Sequence, residues 1–199
     1  MPVHPRNPVK AVRAGSALLI LATAQVGAAA EPILAMRAFA VSMTRGRANT
    51  LDITVERWST DEEREKLRGV LVEKGGGDAL LSAVQRIKPR CGFIRTSHSL
   101  GWDIQYCREA PLTDGSRRII LATDRRIGFL EASAQPRSRD YQFLLIEIRL
   151  TKEGKGEGKL ATAAKVDYDK DTNTIQIENY GQEPVRLTQV EVVGPKKKP

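Results

Sequence analysis

Residues 50–57, TLDITVER, put Leu51, Ile53 and Val55 on one face of an extended chain, and residues 58–89, WSTDEEREKLRGVLVEKGGGDALLSAVQRIKP, abandon that period for a helical one. Ser59 and Thr60 can each cap a helix, with Glu62 and Glu63 three residues on as capping-box partners, and Leu67, Val70 and Leu71 then recur at helical spacing. Gly75, Gly76 and Gly77 end that helix. Asp78 can cap a second, whose buried face is Leu80, Leu81, Val84 and Ile87, and Pro89 stops it. A helical hairpin over about 60–88 is therefore expected, with one apolar stripe per helix. It should lie over a face or an open end of whatever the rest of the chain builds.

The rest of the chain is strand-like. IILAT, IGFLEA and YQFLLIEIRL are rich in β-branched and aromatic residues, and the last is apolar enough for a central strand. Ile175 and Ile177 alternate in TIQIENY. Val185, Leu187, Val190 and Val192 alternate through PVRLTQVEVV, with a phase slip between Leu187 and Val190 that marks a bulge. Turn signals at Arg45-Gly46, Asp114-Gly115, Glu153 to Gly158 and Lys170 to Asn173 separate about nine or ten strands. The expected fold class is α+β: a mainly antiparallel sheet, curled or partly closed, with the helical hairpin inserted after the second strand.

The first thirty residues have another character. Arg6, Lys10 and Arg13 form a basic start with no acidic residue, Ala17 to Val26 is an apolar run, and Gly27 to Ala30 are small. This is the pattern of a cleavable signal peptide, with the mature chain starting near Glu31. The apolar run falls far short of the ~20 residues of a membrane-spanning helix. Residues 1–30 are thus read as leader, 31–194 as one β-rich domain and 195–199 as a basic tail. The protein is expected to be secreted or periplasmic, without stable membrane insertion after cleavage.

Thirty-two basic and 24 acidic residues give a net charge of +8, and removing the leader lowers it to +5. Lys196, Lys197 and Lys198 hold three of the remaining positive charges, so the body is nearly neutral. A nucleic-acid-binding stripe is not supported, and the aromatic residues are too few for a base-stacking platform. The tail reads as a solvated tether with at most loose contact to an anionic surface. No cofactor motif is present.

Cys91 and Cys107 are the only cysteines, and in an oxidising compartment they read as one disulfide. GFIRTS and WDIQY flank a short turn, and pairing centred on Ser99 sets Cys91 opposite Cys107, Ile94 opposite Ile104 and Arg95 opposite Asp103. A redox-active pair is the alternative, although Cys-x-x-Cys spacing is absent. His98 is the one histidine outside the leader, which excludes a zinc site needing two. It is the candidate catalytic base, with Ser97 or Ser99 as nucleophile and Asp103 as orienter, though neighbours on a turn aim their side chains poorly at one another.

Asp167, Asp169, Asp171 and Glu178, with Asn173 between, match the carboxylate spacing of a calcium loop. Thr172 stands where that loop needs glycine, and the flanks read as strands rather than helices. A hairpin turn with side-chain-to-backbone hydrogen bonds is the competing reading. Gly154, Gly156 and Gly158 resemble a phosphate loop, but the following KLATAAKV is strand-like and offers no helix N-terminus, so a flexible hairpin connection is expected. Arg117-Arg118, Arg125-Arg126 and Arg137-x-Arg139 could converge on an anion, against the simpler reading of a solvated face.

With no convincing catalytic set, the chain reads first as a non-catalytic binding or interaction module. The alternatives are a carrier holding a small apolar ligand inside the curled sheet and a small secreted hydrolase using His98. A roomy apolar interior would favour the carrier, and a cleft setting His98 against a carboxylate would favour the enzyme.

Overall fold

The computed structural model describes residue 1 and residues 31–42, 47–97, 101–125, 136–181 and 183–194. The leader, IGFLEA, His98, Ser99 and Lys196 to Lys198 lie outside the described residues.

The strands are β1 (Leu34–Ser42), β2 (Arg47–Val55), β3 (Gly92–Thr96), β4 (Trp102–Ile104), β5 (Tyr106–Pro111), β6 (Arg117–Asp124), β7 (Phe143–Leu150), β8 (Lys155–Asp169), β9 (Thr174–Asn179) and β10 (Val185–Val192). All pairings are antiparallel, in the order β4-β3-β2-β1-β10-β8-β7-β6-β5, with β9 added to the far half of β8. The sheet curls into a nearly closed barrel whose two edge strands, β4 and β5, are consecutive in sequence. Alternation makes the inside: Met36, Ile53, Ile104, Ile119, Ile148 and Leu150 are all inaccessible or nearly so. The expected bulge appears where the β10–β8 register shifts between Leu187 and Val190.

The helices are α1 (Asp61–Lys74) and α2 (Gly77–Gln85), inserted after β2 as expected. Thr60 accepts a hydrogen bond from the Glu63 amide at 3.2 Å while the Glu63 carboxylate accepts one from the Thr60 amide at 3.1 Å, which closes the capping box. Gly75 ends α1 at φ 81°, a left-handed turn that glycine adopts without a Cβ penalty. Gly76, not Asp78, is the cap residue of α2; Asp78 stands inside the first turn and accepts a hydrogen bond from Gln142. Leu71, Leu80 and Val84 pack on Phe143, Ala164 and Val166, forming a second core on the outer face of β7 and β8.

Two sequence expectations change. The β3–β4 hairpin exists, but Gly92 pairs with Ile104, Phe93 with Asp103 and Ile94 with Trp102, two residues away from the register centred on Ser99. A two-residue slip keeps every side chain on its own face, so hydrophobic alternation fixes the parity of a register and not its offset. In addition, WDIQY is not one strand. The chain bends at Gln105, so that Ile104 pairs with β3 while Tyr106 pairs with Ala122 of β6.

The run Gly154 to Gly158 is not the flexible connection expected, since β8 begins at Lys155 and Gly156 and Gly158 pair with Leu150 and Ile148. A Cβ on Gly156 would lie 1.9 Å from the Arg149 carbonyl oxygen, and one on Gly158 would lie 2.4 Å from that of Glu147. The glycines let β8 press against β7 where the sheet bends. We expect Gly156→Ala to destabilise the protein by about 3 kcal/mol. Gly69→Ala, inside α1 with nothing within 4 Å, should stabilise it by about 0.5–1 kcal/mol. Denaturant melts of the two variants check both signs, and equal effects would contradict the close approach.

Candidate functional site

Met36, Ile53, Ile119 and Ile148 fill much of the barrel interior, and its outer face is not fully covered. Ile120 on β6, Leu145 on β7, Ala161 and Val166 on β8, and Ile175 and Ile177 on β9 form one wall of a cleft of about 420 Å³. Leu67 and Leu71 of α1 and Leu80 and Val84 of α2 form the other. The volume falls in the range of small-molecule sites. Ile175 and Ile177 are 54% and 58% exposed, an unusual position for two large aliphatic side chains on one strand. The helices cover the β7–β8 end of this face and leave the β9 end open.

The polar groups at the cleft are few. Arg64 and Arg68 stand one turn apart on α1, and Lys159 and Glu147 are paired across β8 and β7. Asn179 also lines the cleft, and its buried Oδ1 has no hydrogen-bond donor. Tyr106 completes the lining, with burial raising its phenol above the usual range. A second cavity of about 500 Å³ opens at one end of the barrel between Leu51, Ile94, Leu144 and Leu160, rimmed by Trp102, Asp124 and Arg125.

None of three comparisons, with protein-family models, curated protein sequences and solved structures, returned a match. The reading of the site rests on geometry alone.

Cys91 and Cys107 are both fully buried and are separate thiols in this structure. The two-residue register places Cys91 beside Gln105, whose carbonyl its Sγ approaches at 2.9 Å, and the bend carries Cys107 into β5. They are brought together around a corner and not face to face in a ladder. The Cys107 side chain is hydrogen-bonded to Cys91, and Ser59 Oγ lies 3.3 Å from Cys91 Sγ. Donation from Cys107, then from Ser59, with the Arg57 charge nearby, draws the Cys91 thiol down to about 7 against the opposing effect of burial. The Gln105 carbonyl works the other way, since that contact needs the proton on sulfur. The same bond, and then burial, push the Cys107 thiol up, so Cys91 ionises first.

The carboxylates with calcium-loop spacing are dispersed on the β8–β9 hairpin. Asp167 meets Lys165 at 2.6 Å, Asp169 accepts from the Asp171 and Thr172 amides at 2.9 and 3.2 Å, and Glu178 accepts from the Tyr141 hydroxyl. Among the described residues no three His, Cys, Asp or Glu side chains are placed to hold a metal ion. Asp103, the expected orienter of His98, is taken by Arg90 at 2.6 Å. Of the arginine pairs, Arg126 lies outside the described residues; Arg117 meets Glu109 at 2.8 Å on the neighbouring strand, and Arg125 reaches the Ser138 and Tyr141 carbonyls. Among the described residues no helix is long and apolar enough to cross a membrane.

Ser59 ties the cysteine corner to the start of the helical hairpin. Its Oγ accepts from the Cys107 amide at 3.1 Å, and its own amide donates to the Cys107 carbonyl at 2.7 Å. Ser59→Ala leaves a buried amide without its acceptor and should lower stability by about 1–3 kcal/mol. An unchanged melting midpoint would show that the corner does not depend on this hydroxyl.

Proposed function

We propose that this protein is an exported, non-catalytic binding module whose ligand is a small, largely apolar molecule held in the cleft between the helical hairpin and the outer face of the sheet. The observation that carries this reading is the pair Ile175 and Ile177, left exposed on β9 in a cleft whose other wall is the half-buried Leu67 with the buried Leu71 and Val84. Apolar clefts with a few polar groups at the margin are the common form of small-molecule sites. The unpartnered Asn179 Oδ1 offers one acceptor for a ligand donor. The Arg90–Asp103 pair argues against a hydrolase built on His98, and a carrier enclosing its ligand within the curled sheet would have to use the end cavity beside Leu51, Ile94 and Leu160. Export is supported by the leader-like residues 1–30.

The neutral probe N-phenyl-1-naphthylamine tests the cleft. We expect saturable binding with fluorescence enhancement, lost in Ala161→Trp, which fills the cleft, and retained in His98→Ala. Wild-type-like binding by a folded Ala161→Trp protein would place the probe elsewhere.

Within the same reading, Cys91 and Cys107 become a disulfide on export. Each thiol gives up one proton and one electron to a disulfide-bearing oxidant of that compartment, which is reduced to two thiols. Closing the loop stabilises the fold by about 3 kcal/mol in the chain-entropy model. Peptide mapping of exported protein without reductant should recover the two peptides linked. Two unmodified thiols in that material would reject the bond.

A further inference from the structure

We infer that the ligand is a single-chain amphiphile with an anionic head, a free long-chain carboxylate, lying with its tail over Ile175 and Ile177 and its head at Arg64 and Arg68. This rests on the cleft being a ligand site and adds the chemistry of the occupant.

The charge at the margin is one-sided. Arg64, Arg68 and Lys159 line the cleft with Glu147 as the single carboxylate, inside a body whose overall charge is close to neutral. Arg64 and Arg68 meet Glu65 at 2.9 and 3.3 Å, but all three side chains are about half exposed or more. Pairs of that kind are weak and exchange readily, so both guanidinium groups remain available to a carboxylate. Two arginines one helical turn apart, both reaching the Glu65 carboxylate here, can exchange it for the two oxygens of one head group.

The apolar part matches one chain better than two. The floor crosses four neighbouring strands, β6, β7, β8 and β9, roughly 14 Å at the usual strand spacing. A volume of about 420 Å³ lies near the lower end for small-molecule sites, which suits one extended chain.

The test uses dodecanoate, dodecanol and dodecyltrimethylammonium in calorimetric titrations of the purified full chain, with native mass spectrometry for stoichiometry. Dodecanoate should bind at one per chain, about ten-fold tighter than dodecanol, with the cationic amphiphile weakest. The double variant Arg64→Gln with Arg68→Gln should lose that preference while keeping its affinity for dodecanol. Equal affinity for dodecanoate and dodecanol in the wild type overturns the anionic-head assignment and leaves the apolar cleft standing. Failure of all three to bind, with the probe also unbound, overturns the cleft itself. A dimer that dodecanoate does not disperse and that Ile177→Asp dissolves assigns the surface to a second copy of the chain, and that too overturns the proposal.

Discussion

Where β4 gives way to β5, Thr123 Oγ1 on β6 lies 2.6 Å from both the Asp103 carbonyl and the Gln105 side-chain oxygen. The Cys91 sulfur approaches the Gln105 carbonyl on the other side. This buried corner lets a ten-stranded sheet close on itself. One residue, Gln105, changes the chain's partner from β3 to β6, so the two ends of the sheet meet without a long connection. A bend with free polar groups inside an apolar barrel would be costly, and here the Thr123 hydroxyl supplies a donor to the backbone at the bend. Ser59 then links the same corner to the entrance of α1.

Closure has a consequence for function. A barrel whose inward positions carry Met36, Ile53, Ile119, Ile148 and Leu150 is filled at those positions and opens at one end, beside Leu51, Ile94 and Leu160. Large side chains of β6 to β9 that point outward must find cover elsewhere. The helical hairpin covers Phe143, Ala164 and Val166 and stops short of Ile120, Ile175 and Ile177. The cleft is thus the mismatch between a two-helix cover and a wider apolar face. Its location follows from the strand order, since only β8 is long enough to carry β9 beyond the barrel.

Much of the architecture was legible because it depends on local period. The switch from Leu51, Ile53 and Val55 to the capping box at Thr60 and Glu63 placed the helices, and the slip between Leu187 and Val190 located a real bulge. What period cannot supply is offset and curvature. The β3–β4 register moved by two residues with no change of face, and the corner at Gln105 looks in sequence like the middle of WDIQY. Gly156 and Gly158 carried a signal of close strand approach, but glycine also marks turns, and the sequence reading ran the hairpin turn on to Gly158 where β8 already begins at Lys155. The cleft was the least legible, because it is assembled from α1, α2 and four strands far apart in sequence. Its one local trace is TIQIENY, where two isoleucines lie on a short strand at the sheet's margin.

The central claim is that ligand binds outside the barrel, between the hairpin and β9. Methyl NMR of isoleucine-labelled protein during titration with dodecanoate tests it most directly. The account predicts that Ile120, Ile175 and Ile177 shift together and saturate at one equivalent, while Ile53, Ile119 and Ile148 stay fixed. Shifts confined to the interior isoleucines would contradict it and return the ligand to the barrel.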